Sequence, residues 1–533
     1  MPPTIPPDPA RPSALRRSLG LFSLSHKHSA LSATILLMTA SLGSGLLGLV
    51  RTKYISHVFG AGHTTDAYNA AFTLPDMIGY FLVGGVASIT LVNILNRYRE
   101  AGDEEGADRA LSVVLVGMLV VLGIGILAAE IFAPYYTHAF FGSLDPATSA
   151  LCTHLTRILL LAQLFFFAGG VLGSRLLVRK IFLYQALTPI IYNLGIIAGG
   201  VLLSHRIGID SIAVGVVAGA LIGSTVLNAV GALRSGFRFT PIFNLRHPAF
   251  VEWFKLSLPL MIGVSLSMAD KWILAHYAAA DPGGITHLTN AKSLFNAPLG
   301  IIGFAAGAAS LPFFSSLFAQ GKLNDFNIAV SRSVSRLFSA AFLLTAWMTA
   351  LAIPIVDLLV RGGRYTHPDA LLTARYFALF SLSLAFWAAQ GIYARAFYAA
   401  RNTLTPAISG TIVTLVSIPI YALLFHHFGV DGLAMASNLG ILAHTVSLAV
   451  LLHRYRLVSI ASLEYGELAR ALLAAAVAYL GAFAIVTRLP HPPSFAGDVL
   501  LIATGSLAWA GLGFATLQLS GSQLIQQLRN RRA

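Results

Sequence analysis

The sequence predicts an all-α polytopic membrane protein of about fourteen transmembrane helices, organised as an internally repeated, two-lobed chain. Three observations carry this. Of 533 residues, 56% are hydrophobic and 11% charged, against about 25% charged in a soluble domain. With a mean hydropathy of +0.75, the charge is too sparse to cover a soluble surface. Second, the apolar residues fall in runs of roughly 20, enough to cross a bilayer as a helix, and not in the short alternating segments of a β-barrel. Third, one half of the chain repeats landmarks of the other.

Taken in order, residues 1–29 are rich in Pro, Arg and His and read as a disordered cytoplasmic tail. The apolar run after them is too long for the core of a cleavable signal. Span cores follow at 30–50, 67–94, 110–133, 151–177, 184–204, 211–233, 254–276, 289–318, 335–360, 373–399, 404–425, 432–453, 469–488 and 497–518. Nearly all contain Gly, Pro, Ser or Thr, as helices in close contact do. The expected division is a six-helix lobe at 30–233, a cytoplasmic linker at 234–249, a second lobe with adjoining helices at 250–453, and a C-terminal helix pair with a basic tail at 454–533.

The net charge of +14 does not indicate nucleic acid, because the basic residues are scattered over short loops. They report orientation instead. Arg97, Arg99, Arg175, Arg179, Arg234, Arg395 and Arg454 fall on one set of loops, whereas 135–150 and 278–288 carry no Lys or Arg. Both termini are therefore expected in the cytoplasm. One loop on the other side, Arg361 to Arg375, departs from the asymmetry. The single cysteine, Cys152, excludes disulfides and cysteine-based metal sites and reads as a small packing residue. No Walker motif is present, so ATP does not drive the protein directly.

The repeat is visible by eye. Arg175, Arg179-Lys180, Leu187-Thr188-Pro189 and Gly208-Ile209-Asp210 recur as Arg395, Arg401, Leu404-Thr405-Pro406 and Gly429-Val430-Asp431. Both copies run in the same membrane direction, the parallel arrangement of two-lobed transporters. Each proline is expected to preset a first helical turn, and each Gly-x-Asp to turn the chain.

The stretch Gly43–Pro75 concentrates the unusual chemistry. Arg51 and Lys53 end one span and Asp66 opens the next. Ionisable groups at membrane depth usually face a protein interior or water. The plainer reading places Arg51 and Lys53 at headgroups and Asp66 at a helix cap. Asp270, beside Lys271, is an acid inside an apolar span, a candidate for cation coupling or for an internal Asp–Lys pair. Arg157 and His444 are further intramembrane candidates, His444 more in keeping with a hydrogen-bonded core residue than a proton relay.

Leu47-Gly48-Leu49-Val50-Arg51, Phe59-Gly60-Ala61-Gly62, Thr65-Asp66-Ala67 and Phe72-Thr73-Leu74-Pro75 resemble the opening of the MurJ family of lipid II flippases. That family lies in the multidrug/oligosaccharidyl-lipid/polysaccharide exporter superfamily. Asn290-Ala291-Lys292-Ser293, with Pro298-Leu299-Gly300, resembles its eighth-helix pattern. The likeness covers nearly the whole chain. It implies two pseudo-symmetric bundles around a central cavity, alternating access, and a groove for a polyprenyl tail beside the last helices. The substrate implied is an undecaprenyl-pyrophosphate saccharide in peptidoglycan biosynthesis at the bacterial inner membrane. The further partners are membrane lipids and cell-wall assembly proteins.

By the same resemblance, Arg51, Asp66 and Lys292 are the candidate substrate-binding residues, and Asp270 the candidate cation-coupling residue. No cofactor is expected; a sodium ion or the membrane potential is the candidate driving force. The chain departs from the family pattern at Gly45, Gly79 and Ser293, where the family has arginines, and at Gly84, where it has a glutamate. The alternatives are a cation-coupled exporter of another polyprenyl-linked saccharide or small amphiphile on the same fold, and a non-transporting scaffold. A glycosyltransferase is disfavoured, because the outer loops are short and carry no paired carboxylates.

Overall fold

The computed structural model describes residues 30–83, 85–262, 266–489 and 494–524. The tail 1–29, Gly84 and the basic C-terminal residues lie outside them. Every described element of length is helical. The order is α1 (Ala30–Phe59), α2 (His63–Ala71), α3 (Thr73–Ile78), a π-helical turn (Gly79–Val83), α4 (Gly85–Glu100), α5 (Glu104–Phe140), α6 (Pro146–Val178), α7 (Leu183–Ile207) and α8 (Asp210–Ala220). A second π-helical turn (Leu221–Val226) leads to α9 (Leu227–Arg234), α10 (Pro248–Ile262), α11 (Leu266–Ala278), α12 (Gly284–Ala319), α13 (Leu323–Ala350) and α14 (Ala352–Leu359). The chain ends with α15 (His367–Ser381), α16 (Leu384–Ala399), α17 (Leu404–Arg454), α18 (Tyr465–Arg488) and α19 (Phe495–Leu519).

This is a multi-pass membrane protein. Among the described residues, nine helices are long and apolar enough to cross a bilayer, or ten with α15 and α16 taken as one span bent by 42°. The figure is below fourteen partly because some expected spans are broken into shorter helices, such as α2 to α4. One helix also covers two expected spans: α17 has 51 residues, about 76 Å at 1.5 Å per residue, against a hydrocarbon core of about 30 Å. Its break is Gly429, with φ 58° and ψ −140°, a conformation that glycine adopts without steric cost.

That break completes the repeat. Gly208, which ends α7, has φ 55° and ψ −133°, nearly the geometry of Gly429. Twenty-eight residues before each glycine stands a basic residue in the left-handed region, Lys180 and Arg401, both with φ 61°. Each closes its helix the same way: Lys180 N donates to Leu177 O and Ile181 N to Leu176 O, and Arg401 N donates to Tyr398 O and Asn402 N to Phe397 O. This is the Schellman pattern of helix ends. One expectation needs correcting. Pro406 lies in the first turn of α17, but Pro189 is inside α7, which starts at Leu183. The Leu-Thr-Pro motif sits one turn deeper in the first copy, so only Pro406 presets a helix start.

The chain forms two compact units that interleave in sequence. Among the described residues, one comprises those up to Gly48, Leu74–Ile131 and Arg157–Met261; the other comprises Leu49–Thr73, Phe132–Thr156 and those from Ile262 onward. The end of α1, all of α2, the end of α5 and the start of α6 group with the second half of the chain.

In the first unit, α4, α5 and α6 bury Leu91, Leu111, Val114, Phe167 and Val171 around Trp253 of α10. Here α7 and α8 cross at glycines four residues apart on each helix. A Cβ on Gly195 would lie 2.6 Å from Gly219 Cα, and one on Gly199 2.7 Å from Gly215 Cα. Small residues at this spacing allow the backbones to approach, and the contact is dispersion because lipid supplies no hydrophobic drive. At the basic end, the buried Arg175 pairs with Asp108, whose other oxygen accepts from Arg238 N at 2.9 Å.

In the second unit, α12, α13, α16 and α17 share a core of Phe314, Phe326, Val330, Ile392, Phe397 and Leu448. The α18–α19 pair is held to α13 by two indoles: Trp509 Nε1 donates to Leu343 O at 2.7 Å and Trp347 Nε1 to Ser506 Oγ at 2.8 Å. At the start of α6, Asp145 caps the helix by accepting from Ala147 N and Thr148 N, both at 3.1 Å. Donors from Thr148 hold this exposed carboxyl below its ordinary range. Cys152 is fully buried, as a packing residue should be.

Candidate functional site

The chemistry of the second unit begins at the turn between α1 and α2. Gly60, at φ 74°, is packed so closely that a Cβ would lie 2.9 Å from Arg364 O. The turn sends α2 back and places Asp66 in its first turn. Asp66 does cap a helix, but not its own. Its Oδ2 accepts from Gly283 N at 2.5 Å, and its Oδ1 from Thr286 N at 2.8 Å and Thr286 Oγ1 at 2.7 Å. The carboxylate thus closes the N-terminus of α12, where free N–H groups and the helix dipole favour an anion. It is 2% exposed.

Lys53 makes the opposite contact. Its Nζ donates to Leu358 O at 3.1 Å and to Arg361 O, at the C-terminus of α14, where a cation is favoured. Between the two contacts, Arg364 N donates to His57 O at 2.9 Å and Asn290 Nδ2 to Ser56 Oγ at 3.3 Å. His287 lies 3.0 Å from Tyr365 Oη and 3.1 Å from Thr373 Oγ1. The ends of α1 and α2 are thereby joined to α12, α14 and the loop before α15 through polar contacts.

That loop is the one that departs from the charge asymmetry, and pairing accounts for two of its arginines. Arg361 meets Asp498 at 2.7 Å and Asp357 at 3.3 Å, and Arg375 meets Asp431. Their charge is largely compensated within the unit.

A second cluster lies deeper. Asp270, on α11 and 1% exposed, faces Lys292 of α12, with Nζ at 2.9 Å from Oδ2. Tyr421 Oη donates to the other carboxylate oxygen, and Lys292 Nζ donates to Ser437 Oγ at 3.0 Å. The ammonium also lies 4.2, 5.1 and 5.5 Å from the ring centroids of Phe380, Trp387 and Phe295, within cation–π range. Two residues that the sequence reading assigned to separate tasks form one ion pair. The partner of Asp270 is not its neighbour Lys271, which is exposed, because adjacent helical residues point about 100° apart.

Arg51 is half-buried on α1 and makes no side-chain hydrogen bond or ion pair among the described residues. The departures from the family pattern differ in kind. A Cβ on Gly45 would meet nothing within 4 Å, whereas one on Gly79 would lie 2.6 Å from Gln163 Oε1. The first leaves the helix surface open; at the second, a buried glutamine amide fills the space. Ser293 is half-buried next to Lys292, and Gly84 lies outside the described residues. Arg157 pairs internally, with Nε 3.1 Å from Glu130 O and 3.8 Å from its Oε2. His444 is 5% exposed, and its Nε2 has no hydrogen-bond partner among the described residues.

Sequence reasoning did not single out Tyr421 or Ser437. The signal was there: a tyrosine inside an apolar span needs a partner for its hydroxyl. The role of Lys53 at the end of α14 had no sequence signal, since its acceptors are backbone carbonyls about 300 residues away.

Comparison with known proteins gives a consistent result. Residues 55–503 match the family model described as lipid II flippase MurJ. A probable lipid II flippase MurJ of Borreliella burgdorferi is 24% identical over 415 residues, covering 76% of this chain and 80% of that protein. A lipid II flippase MurJ of Burkholderia cenocepacia is 25% identical over 409 residues, covering 73% and 78%. Among solved structures, lipid II flippase MurJ in an inward closed conformation superposes with a TM-score of 0.76 at 22% identity, covering 91% of this chain and 99% of that one. An inward-facing MATE-family multidrug transporter of the MOP superfamily gives 0.64 at 16% identity, covering 80% and 98%. These two likenesses establish the fold, and the family model establishes the lineage. The chain, a transporter and not an enzyme, belongs to the lipid II flippase MurJ family.

Proposed function

We propose that this protein moves a lipid II-like undecaprenyl-pyrophosphate saccharide across the bacterial inner membrane by alternating access, with both termini in the cytoplasm. The observation that carries the reading is membership of the family over residues 55–503. Arg51 gives it residue-level support. A half-buried guanidinium without a protein partner among the described residues is a permanent cation with a planar fork, suited to pyrophosphate oxygens. Asp66 serves this cycle as a latch: its contacts to α12 break when the ends of α1 and α2 release, and re-form when they return.

The test combines cells and purified protein. The parent should complement a strain depleted of its own lipid II flippase. Arg51→Ala should fail to do so, and Arg51→Lys should recover part of the activity. Losing a charge-assisted contact costs about 1.5–3 kcal/mol, so binding of a polyprenyl-pyrophosphate analogue should weaken roughly tenfold to hundredfold in Arg51→Ala at fixed salt. Equal affinity in Arg51→Ala and parent would remove Arg51 from the substrate site.

The open surface at Gly45 and the glutamine against Gly79 favour a second reading, a different polyprenyl-linked saccharide as cargo. Complementation failure with retained analogue binding would select it. Complementation by a protein that neither binds nor moves the analogue would select a scaffold among cell-wall assembly proteins.

A further inference from the structure

Asp270 is a buried carboxylate, and its charge needs a counter-cation. We propose that Lys292 is that cation, permanently attached, so that this transporter holds no free sodium ion at Asp270 and runs its cycle without one. The inference rests on the transport reading for its consequence, but its geometry stands independently.

The site is built for an ammonium group. Nζ of Lys292 lies 2.9 Å from Asp270 Oδ2 and 3.0 Å from Ser437 Oγ, with the rings of Phe380, Trp387 and Phe295 around it. The remaining carboxylate oxygen is taken by the Tyr421 hydroxyl. A hard inorganic cation collects several oxygen ligands. Here both oxygens of the one acid are engaged, most of the surrounding surface is aromatic, and the indole N–H of Trp387, which has no acceptor among the described residues, adds a donor and not an acceptor. A sodium ion would also have to sit beside a like charge, which disfavours both. Sodium does not fit these residues, whereas a primary ammonium does. The pair ties α11 to α12, and Tyr421 and Ser437 bring in both arms of α17, on either side of Gly429. The resident cation therefore braces the broken helix of the second copy of the repeat.

The consequence is an exchangeable site when the tether is cut. Truncating Lys292 to alanine leaves Asp270 buried and unpaired, with a vacancy the size of a short alkylammonium ion lined by aromatic faces. Full-length parent, Lys292→Ala and Lys292→Met/Asp270→Asn are purified and unfolded thermally in sodium chloride, choline chloride and propylammonium chloride at equal ionic strength. The parent is expected to unfold at the same temperature in all three. Lys292→Ala should unfold several degrees lower in choline and be raised, saturably, by propylammonium more than by sodium. The double variant, with no buried charge to balance, should be stable and indifferent to all three.

A saturable rise in the parent with sodium overturns the proposal, even if Lys292→Ala cannot be purified. So does a Lys292→Ala protein indifferent to propylammonium. None of these measurements uses substrate, so they stand apart from the complementation and binding results that decide the transport reading.

Discussion

Removing the Asp66 carboxylate is the sharpest test of the latch. It accepts three hydrogen bonds, from Gly283 N, Thr286 N and Thr286 Oγ1. Asp66→Asn keeps the shape and one carbonyl oxygen. That oxygen can serve Thr286, which leaves an amide NH2 facing Gly283 N–H, donor against donor. The loss is one charge-assisted bond, about 1.5–3 kcal/mol, with weakening of the other two as the charge disappears. At 1.4 kcal/mol per decade, the latched state should lose population by a factor of roughly ten to a hundred relative to the released state. Asp66→Glu retains the charge and should lose less. The assay is the rate at which a water-soluble maleimide modifies a cysteine introduced at Thr286, buried in the latched structure, in a Cys152→Ala background. Expected is a rise of about ten-fold or more for Asp66→Asn over parent, with Asp66→Glu between them. Because Thr286 is itself a donor, the series is repeated with a cysteine at the buried Ala291. Unchanged labelling at both positions would refute the latch and leave Asp66 as a local helix cap.

Three further outcomes are expected. Gly215→Leu should abolish accumulation of folded protein, because its Cβ would lie 2.8 Å from Gly195 O and 2.9 Å from Ile196 Cα, backbone atoms that cannot move aside; an expression level equal to parent would contradict the crossing. Asp498→Asn should cost about 1–3 kcal/mol by leaving Arg361 short of a partner in a buried pair, read as a lower unfolding midpoint, and Arg361→Met combined with it should recover part of the loss. Cysteines at 135–150 or 278–288 should react with a membrane-impermeant reagent in intact cells, whereas those at 97–109 or 234–247 should not; the reverse pattern would invert the topology.

Much of the architecture was legible because the membrane imposes it. Apolar runs long enough to span the bilayer and a repeat marked by Gly208 and Gly429 are local properties of the chain, and each can be read without knowing what packs on what. The lineage was legible for the same reason, since the Arg51-to-Asp66 stretch is contiguous. Asp66 could be seen as a helix cap because it opens a span, but the helix it caps begins more than 200 residues later.

What the tertiary structure alone decided is which charges meet. The family resemblance assigned Lys292 to the substrate, and Asp270 was read as an ion-binding acid or a partner of its neighbour Lys271; folding places Asp270 and Lys292 2.9 Å apart, a pairing that nothing in either local sequence announces. The same holds for Arg361, an anomaly in the loop-charge pattern until Asp357 and Asp498 are beside it, and for Gly79, whose missing side chain is filled by Gln163 from another helix. Hydrophobic length is set by the solvent, which acts on each segment separately. The pairing of buried charges is set by whichever helices come into contact, and in a chain whose compact units interleave in sequence, that information is not local.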